Sequence, residues 1–238
     1  MSHFSLLCIG DGWESNLMDY CEVYHQGDSS ESIKFKFYPV IPEEKIQIRF
    51  EKWKKNSNNN TYNNALEWAE KYMGFVFQDG MYGYYYNPNA KWDWYAIGGR
   101  WRGYLKLKPG KVGFLSPPYS SNCNVPDGYC DQAKNGDIDW EGMKIDSYKS
   151  AEKDWEWLTS GSEEVDGAIK FAYDFSDTDT KESYIKRRSS IATYAILYNG
   201  KWSEMEDFYS SEAWDRYFNE IIESLPDDEL ITILDCHI

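Results

Sequence analysis

Two groups of residues have types and spacings from which chemistry could be built. The first lies between positions 82 and 126. There six basic residues (Lys91, Arg100, Arg102, Lys106, Lys108, Lys111) are set against one carboxylate, Asp93, a local charge of +5 in a chain of formal charge −15. An anion would be drawn to such an island. After the turn signal Asn87-Pro88-Asn89, strand alternation puts Trp92, Trp94, Arg100, Arg102 and Tyr104 on one face. Tyr95, Ile97, Trp101, Leu105 and Leu107 fall on the other and read as core. Aromatic planes beside guanidinium forks are the combination that stacks bases and grips phosphates bidentately. The candidate ligand-binding residues are therefore Lys91, Trp92, Trp94, Arg100, Arg102 and Tyr104. In the plainer alternative, Trp92 and Trp94 cover the sheet and the arginines form surface ion pairs with acidic residues. Gly98-Gly99 lies inside the segment, where a bulge or a close approach of ligand or backbone would be accommodated; a bulge would also reverse the phase of the residues after it.

The second group is at the chain ends. Asp235 and His237 are two apart, so on one strand they share a face and could pair, while the thiol of Cys236 points the other way. His3 lies near the start of a strand that could pair with the last one, Asp11 follows that strand, and Cys8 and Cys236 are the candidate nucleophiles. The alternative is that Cys8 and Cys236 are small core residues and His237 is a satisfied terminal histidine. There is no Gly-rich phosphate loop, nucleophile elbow or metalloprotease spacing, and Gly10-Asp11-Gly12 is too short for a dinucleotide fingerprint. The sequence therefore assigns no catalytic residue. Cys123 and Cys130 match no common zinc spacing, and His3, His25 and His237 are scattered, so neither a metal nor a cofactor is expected. Five cysteines are an odd number in a chain large enough to have its own core, which argues for reduced thiols.

The elements that would position these residues can be read from hydrophobic period. Phe4 to Ile9 is an apolar run ended by Gly10-Asp11-Gly12, and Leu230 to Ile238 repeats the pattern, so both termini read as strands of one sheet. Pro42–Lys55 spaces Ile46, Phe50 and Trp53 as a helix; Tyr62–Met73 does so after a Thr61 cap, with the Asn58-Asn59-Asn60 run before it. Ser147–Leu158 and Ser211–Leu225 share the same period, the latter closed by Pro226. Ile191–Tyr198 reads as a strand turning at Asn199-Gly200, a strong hairpin signal. The segments 94–107 and 191–198 are expected in the terminal sheet, with the helices 62–73 and 211–225 packed on it. The fold class is α+β: a mixed or antiparallel sheet with helices on one face, in a ferredoxin-like (split β-α-β) arrangement with insertions.

The chain has 238 residues, 42% of them hydrophobic and 18% aromatic, which excludes a disordered tail. A single domain over 1–238 is expected, with an acidic insertion at about 137–182 where fourteen carboxylates meet five lysines. The acidic balance argues against direct binding of duplex nucleic acid or an anionic membrane. No run reaches the length of a membrane span and no basic signal region opens the chain, so a cytoplasmic protein is expected.

Residues 2–10, the run Tyr-Asn-Pro-Asn-Ala-Lys-Trp-Asp-Trp-Tyr-Ala-Ile-Gly-Gly-Arg-Trp at 86–101, the segment 131–139 and the endings 225–228 and 234–238 together resemble a family of proteins encoded by bacteriophages and prophages. That resemblance implies a phage setting and the cytoplasm of a host cell, without supplying a reaction. By analogy of class, small phage proteins of this kind counter host defence. Three readings stay open. The chain is a binding protein that sequesters a nucleotide-like anion, such as a cyclic nucleotide signal, on the aromatic–arginine face. Or it is an acidic inhibitor of a host defence or nucleic-acid-binding protein. Or it is a small hydrolase or phosphodiesterase built on His237, Asp235 and the arginines. Binding is favoured over catalysis because it needs only the features already visible. The oligomeric state is open.

Overall fold

The apolar runs at the two ends of the chain pair with each other, and the larger sheet grows from that pair. The computed structural model describes residues 2–22, 35–57, 61–118 and 124–238. In chain order the elements are β1 (His3–Ile9), α1 (Trp13–Met18), β2 (Lys36–Pro42), α2 (Glu43–Ser57) and α3 (Ala65–Glu67), which continues as a π-helical turn, Trp68–Tyr72. Next come β3 (Val76–Gln78), β4 (Met81–Tyr86), β5 (Trp94–Ile97), β6 (Leu105–Lys106), β7 (Tyr129–Cys130) and β8 (Gln132–Lys134). The chain closes with α4 (Trp140–Leu158), α5 (Gly167–Ala172), α6 (Lys181–Arg188), β9 (Ala195–Tyr198), β10 (Lys201–Glu204), α7 (Ser211–Ser224) and β11 (Leu230–His237). The fold is α+β, with a mixed six-stranded sheet, a three-stranded antiparallel sheet and a two-stranded ribbon. The run 23–34, including His25, and the residues Asn58-Asn59-Asn60 and Cys123 lie outside the described residues.

Contacts within the chain divide it into two compact units, residues 1–16 with 94–238 and residues 17–93. In the first unit the sheet order is β10-β9-β1-β11-β5, with β8 also on β11. β1 runs antiparallel to β11 from His3↔His237 to Ile9↔Ile231, and parallel to β9 from Leu6↔Ala195 to Ile9↔Tyr198. β11 is long enough to split its far edge, pairing β8 through Leu230–Thr232 and β5 through Leu234–His237. Both faces of β1 and β11 are buried for most of their length, which is why each reads as a continuous apolar run. α7, capped by the Ser210 hydroxyl on the Ala213 N–H, lays Trp214, Phe218 and Ile222 on Leu7, Ile9, Ile231 and Ile233. Its Trp214 indole donates to the Thr193 carbonyl at 2.7 Å. The hairpin β9–β10 turns at Asn199 and Gly200, both with positive φ (51° and 72°), as an Asn-Gly turn requires. α4 and α6 form a satellite core through Ala151, Leu158, Tyr184 and Ile185.

Several expectations are corrected here. β10 and β11, which run the same way with β9 and β1 between them, are the strands α7 joins, so the strand entering that helix is the return arm of the hairpin. The arrangement does not need a ferredoxin-like topology. Of the segment 94–107, only Trp94–Ile97 joins the large sheet; Leu105–Lys106 pairs with Tyr129–Cys130 in the separate ribbon. The helix at 147–158 begins earlier, at Trp140, because the Asp139 carboxylate caps it on the Gly142 N–H at 3.0 Å. The cap of α3 is Asn64 and not Thr61.

In the second unit, β2-β4-β3 form an antiparallel sheet whose core joins Ile41 and Tyr82 to Ile46 and Phe50 of α2 and to Ala65, Trp68 and Ala69. The helical segment 62–73 thus has its own core to fill. Residues 87–92 are fastened to 17–22: the Asn87 amide donates to the carbonyls of Asp19 (2.7 Å) and Cys21 (3.0 Å). No helix among the described residues is long and apolar enough to cross a membrane.

The central position of β11 makes a direct prediction. Deleting residues 234–238 removes the pairing partner of both β5 and the first half of β1, so the truncated chain should fail to accumulate in soluble form. A truncated protein with a cooperative thermal transition would contradict this placement.

Candidate functional site

Alternation along β11 divides one of its faces into an apolar half and a polar half. Ile231 and Ile233 meet α7 in the core, and Asp235 and His237, next on the same side, come after the apolar residues. The register brings Ser5 opposite Asp235 and His3 opposite His237 on β1, and Ala96 and Trp94 opposite the same two residues on β5. Three rings from three adjacent strands therefore gather at one end of the sheet. His3 and His237 lie 5.0 Å apart between centroids at 74°, and His3 meets Trp94 edge-on at 6.3 Å and 79°. Beneath them Asp235, 2% exposed, accepts a hydrogen bond on Oδ1 from His3 Nδ1 at 2.8 Å. Its Oδ2 accepts the backbone N–H of Arg100 at 3.0 Å.

A second buried carboxylate completes the support. Asp131, fully buried, accepts the N–H of Gly103 at 2.5 Å on Oδ1 and that of Ser116 at 2.8 Å on Oδ2. Together the two carboxylates hold the loop 98–103 by its backbone, at Arg100 and at Gly103. This explains Gly98-Gly99. Both residues have positive φ (69° and 52°) and turn the chain from β5 into the 3-10 turn Gly99–Trp101. A Cβ on Gly98 would come within 2.5 Å of Asp131 Oδ2, and one on Gly99 would overlap the side chain of Asp235. The close approach that the glycines allow is to buried carboxylates of the same chain.

The structure separates the six residues expected on one face. Trp94 is 48% exposed, and Arg100, on the carboxylate-held loop that follows β5, is exposed as well. Trp92 is 4% exposed inside the second unit, where its indole donates to the Leu17 carbonyl at 3.0 Å, and Lys91 is in that unit too, its N–H on the Tyr20 carbonyl. Arg102 is half-buried and donates through Nε to the Ser116 carbonyl at 2.6 Å. The Tyr104 hydroxyl donates to the Ile191 carbonyl, its ring packs on the core, and burial pushes its phenol far up. Strand alternation misplaces Lys91 and Trp92 because the strand begins only at Trp94, and Tyr104 because the 3-10 turn at 99–101 breaks the period. Trp101 still packs on the core as expected, and Tyr104 joins it. The rest of the positive island is drawn off: Lys106 pairs with Asp146 at 2.5 Å, Lys111 with Asp137 at 2.7 Å, and Lys108 donates to the Gly136 carbonyl. Lys106, Lys108 and Lys111 thus meet groups at the start of the acidic stretch.

Alternation suggests that Asp235 pairs with His237 on its own strand; its Oδ1 instead takes His3, the cross-strand residue, whose side chain is 18% exposed. Cys8 and Cys236 lie on the opposite face, fully buried; burial pushes both thiols well up, and the Asp235 carboxylate adds to the effect at Cys236. Neither is placed to act as a nucleophile at the histidines. Asp11 is exposed at the turn at the far end of β1 and makes no part of the cluster. Among the described residues no group of three or more His, Cys, Asp or Glu is arranged to hold a metal ion. Ser5, the partner of Asp235 in register, was not singled out in the sequence; its Oγ accepts the Tyr194 N–H at 3.1 Å, and no spacing rule announces it. No family model, curated protein or solved structure matches the chain.

The glycine pair supplies a prediction about the support. Gly110, with φ of 76° and open space around it, reports the cost of the left-handed backbone alone, so Gly110→Ala should lose about 1–2 kcal/mol. Gly98→Ala and Gly99→Ala disturb a buried hydrogen-bond network as well and should each lose about 3–5 kcal/mol in denaturant unfolding. Equal losses at all three positions would refute the role given to the carboxylates.

Proposed function

We propose that the chain binds a nucleotide-like, anionic small molecule at the polar end of its six-stranded sheet. On this reading it acts as a bacteriophage-encoded protein in the host cytoplasm and withdraws a nucleotide signal of host defence. The observation that carries the binding reading is the exposed Trp94 ring, edge-on to His3 and in register with His237, on a strand that runs straight into the loop carrying Arg100. An exposed indole offers a base a stacking surface, the imidazoles beside it offer donors to phosphate oxygens, and the exposed Arg100 of the adjoining loop offers a guanidinium. Arg100 is exposed, and no ion pair among the described residues involves it. The support is rigid, since β5 is laddered to β11 and the loop is held by two buried carboxylates. A pre-formed site loses less entropy on binding. The resemblance of residues 86–101 to phage and prophage proteins supports reading the ligand as a host signal. Of the six residues read from the sequence, Trp94 and Arg100 carry the proposal, and His3 and His237 join them.

The reading as an acidic inhibitor is supported less, because many carboxylates of 137–182 already meet cations of this chain. Asp137, Asp146, Glu152, Asp174, Asp177 and Asp179 all lie in ion pairs.

A thermal-shift and calorimetric panel of cyclic mononucleotides, cyclic dinucleotides and ADP-ribose isomers tests the proposal. Trp94→Ala should weaken the best binder by about 1–3 kcal/mol through lost stacking, and Arg100→Ala by about 1.5–3 kcal/mol through a lost charge-assisted bond. Both variants should unfold as the wild type does. A panel without any shift, or variants that bind normally, would remove the proposal.

A further inference from the structure

We propose that the paired histidines hydrolyse a phosphodiester bond of the bound nucleotide, with His3 as general base and His237 as general acid. The inference rests on the binding reading above and adds a reaction at the same site. Its ground is the cross-strand geometry. His3 Nδ1 is engaged by Asp235 Oδ1 at 2.8 Å, which fixes the ring and leaves Nε2 as the nitrogen able to take a proton. Asp235 is in turn fixed by the Arg100 N–H, so the carboxylate cannot turn away from the imidazole. His237 stands directly opposite in register, its ring 5.0 Å from that of His3 and steeply inclined to it. Two imidazoles from neighbouring strands can thus serve the two oxygens of one phosphodiester, the entering and the leaving. Trp94 stands in register with His237 and edge-on to His3, so a base stacked on the indole keeps its phosphate within reach of both rings. Arg100 is exposed on the loop whose N–H is held on Asp235, and its guanidinium would answer the charge that grows on the phosphoryl oxygens.

With both nearby thiols buried on the other face, the nucleophile is water. As its oxygen bonds to phosphorus, water gives one proton to His3 Nε2. The bond from phosphorus to the leaving oxygen breaks, and that oxygen takes a proton from the His237 imidazolium. The products are a phosphomonoester and an alcohol. No electrons are transferred, and the histidines recover their starting states by proton exchange with solvent. Asp235 is a positioning residue, since it touches His3 and not the substrate.

The test uses the full chain. Turnover is followed with bis(p-nitrophenyl) phosphate and with 3′,5′-cyclic dinucleotides, and binding is followed separately with a phosphorothioate cyclic dinucleotide that resists hydrolysis. The wild type should cleave the dinucleotides. His3→Ala and His237→Ala should each lower kcat by about 10²–10⁴-fold, well beyond any accompanying weakening of phosphorothioate binding. Asp235→Asn should lower kcat with KM little changed. The wild type also provides a check free of folding effects, because a base and an acid acting together give kcat/KM a bell-shaped dependence on pH. Binding of the phosphorothioate without any turnover would overturn this inference and leave the binding proposal standing. Turnover that survives both histidine substitutions, or a flat pH profile, would also overturn it. Absence of both binding and turnover would remove the two together.

Discussion

Two carboxylates withdrawn from water, Asp131 and Asp235, determine how this end of the first unit is built. A buried carboxylate is costly unless donors meet it, and here most of those donors are main-chain N–H groups. Asp131 takes Gly103 and Ser116; Asp235 takes Arg100 and, from the opposite end of the chain, the imidazole of His3. The loop 98–103 is thereby satisfied and immobilised in the same step. Glycine is required at 98 and 99 because any Cβ there would intrude on the carboxylates themselves. The most distinctive dipeptide of the chain is therefore explained by the protein's own interior, and the residues flanking it, Trp94 and Arg100, are left facing outward on a rigid frame.

That frame depends on the register of β11. Its first half is buried in the core against α7, and its last residues carry Asp235 and His237 on the same side. Because side chains alternate strictly, a slip of one residue would bury His237 in the wrong layer and present Cys236 in its place. The apolar pairs Ile9↔Ile231 and Leu7↔Ile233 prevent the slip. The hydrophobic core thus sets the meeting of two histidines that lie at opposite ends of the sequence.

Electrostatics sort the rest. The cations gathered between 82 and 126 do not form one positive surface. Lys106 and Lys111 reach α4 and the residues just before it, tying the ribbon of β6 and β7 to the acidic stretch. Exposed pairs of this kind are screened by salt and add little stability individually. Their consequence is to remove charge from the island, so that the proposed site depends on the exposed ring and Arg100 more than on net potential.

The sequence by itself determined what is local. The apolar runs at both termini, the Asn199-Gly200 turn, the stripe of Trp214, Phe218 and Ile222 and the helix around Ile46 and Phe50 are all legible in short-range period, and each is formed. Gly98-Gly99 was also legible as a point of close approach, though not what approaches it. Only the tertiary structure decided that Trp92 is buried while Trp94 is exposed, that Tyr104 turns inward, and that Asp235 pairs with His3 across 232 positions of chain. Alternation extrapolates a face only while the backbone stays extended. The 3-10 turn at 99–101 ends that condition, and its cause, a pair of carboxylates arriving from β11 and from the residue before β8, has no signature in the spacing of the residues that turn.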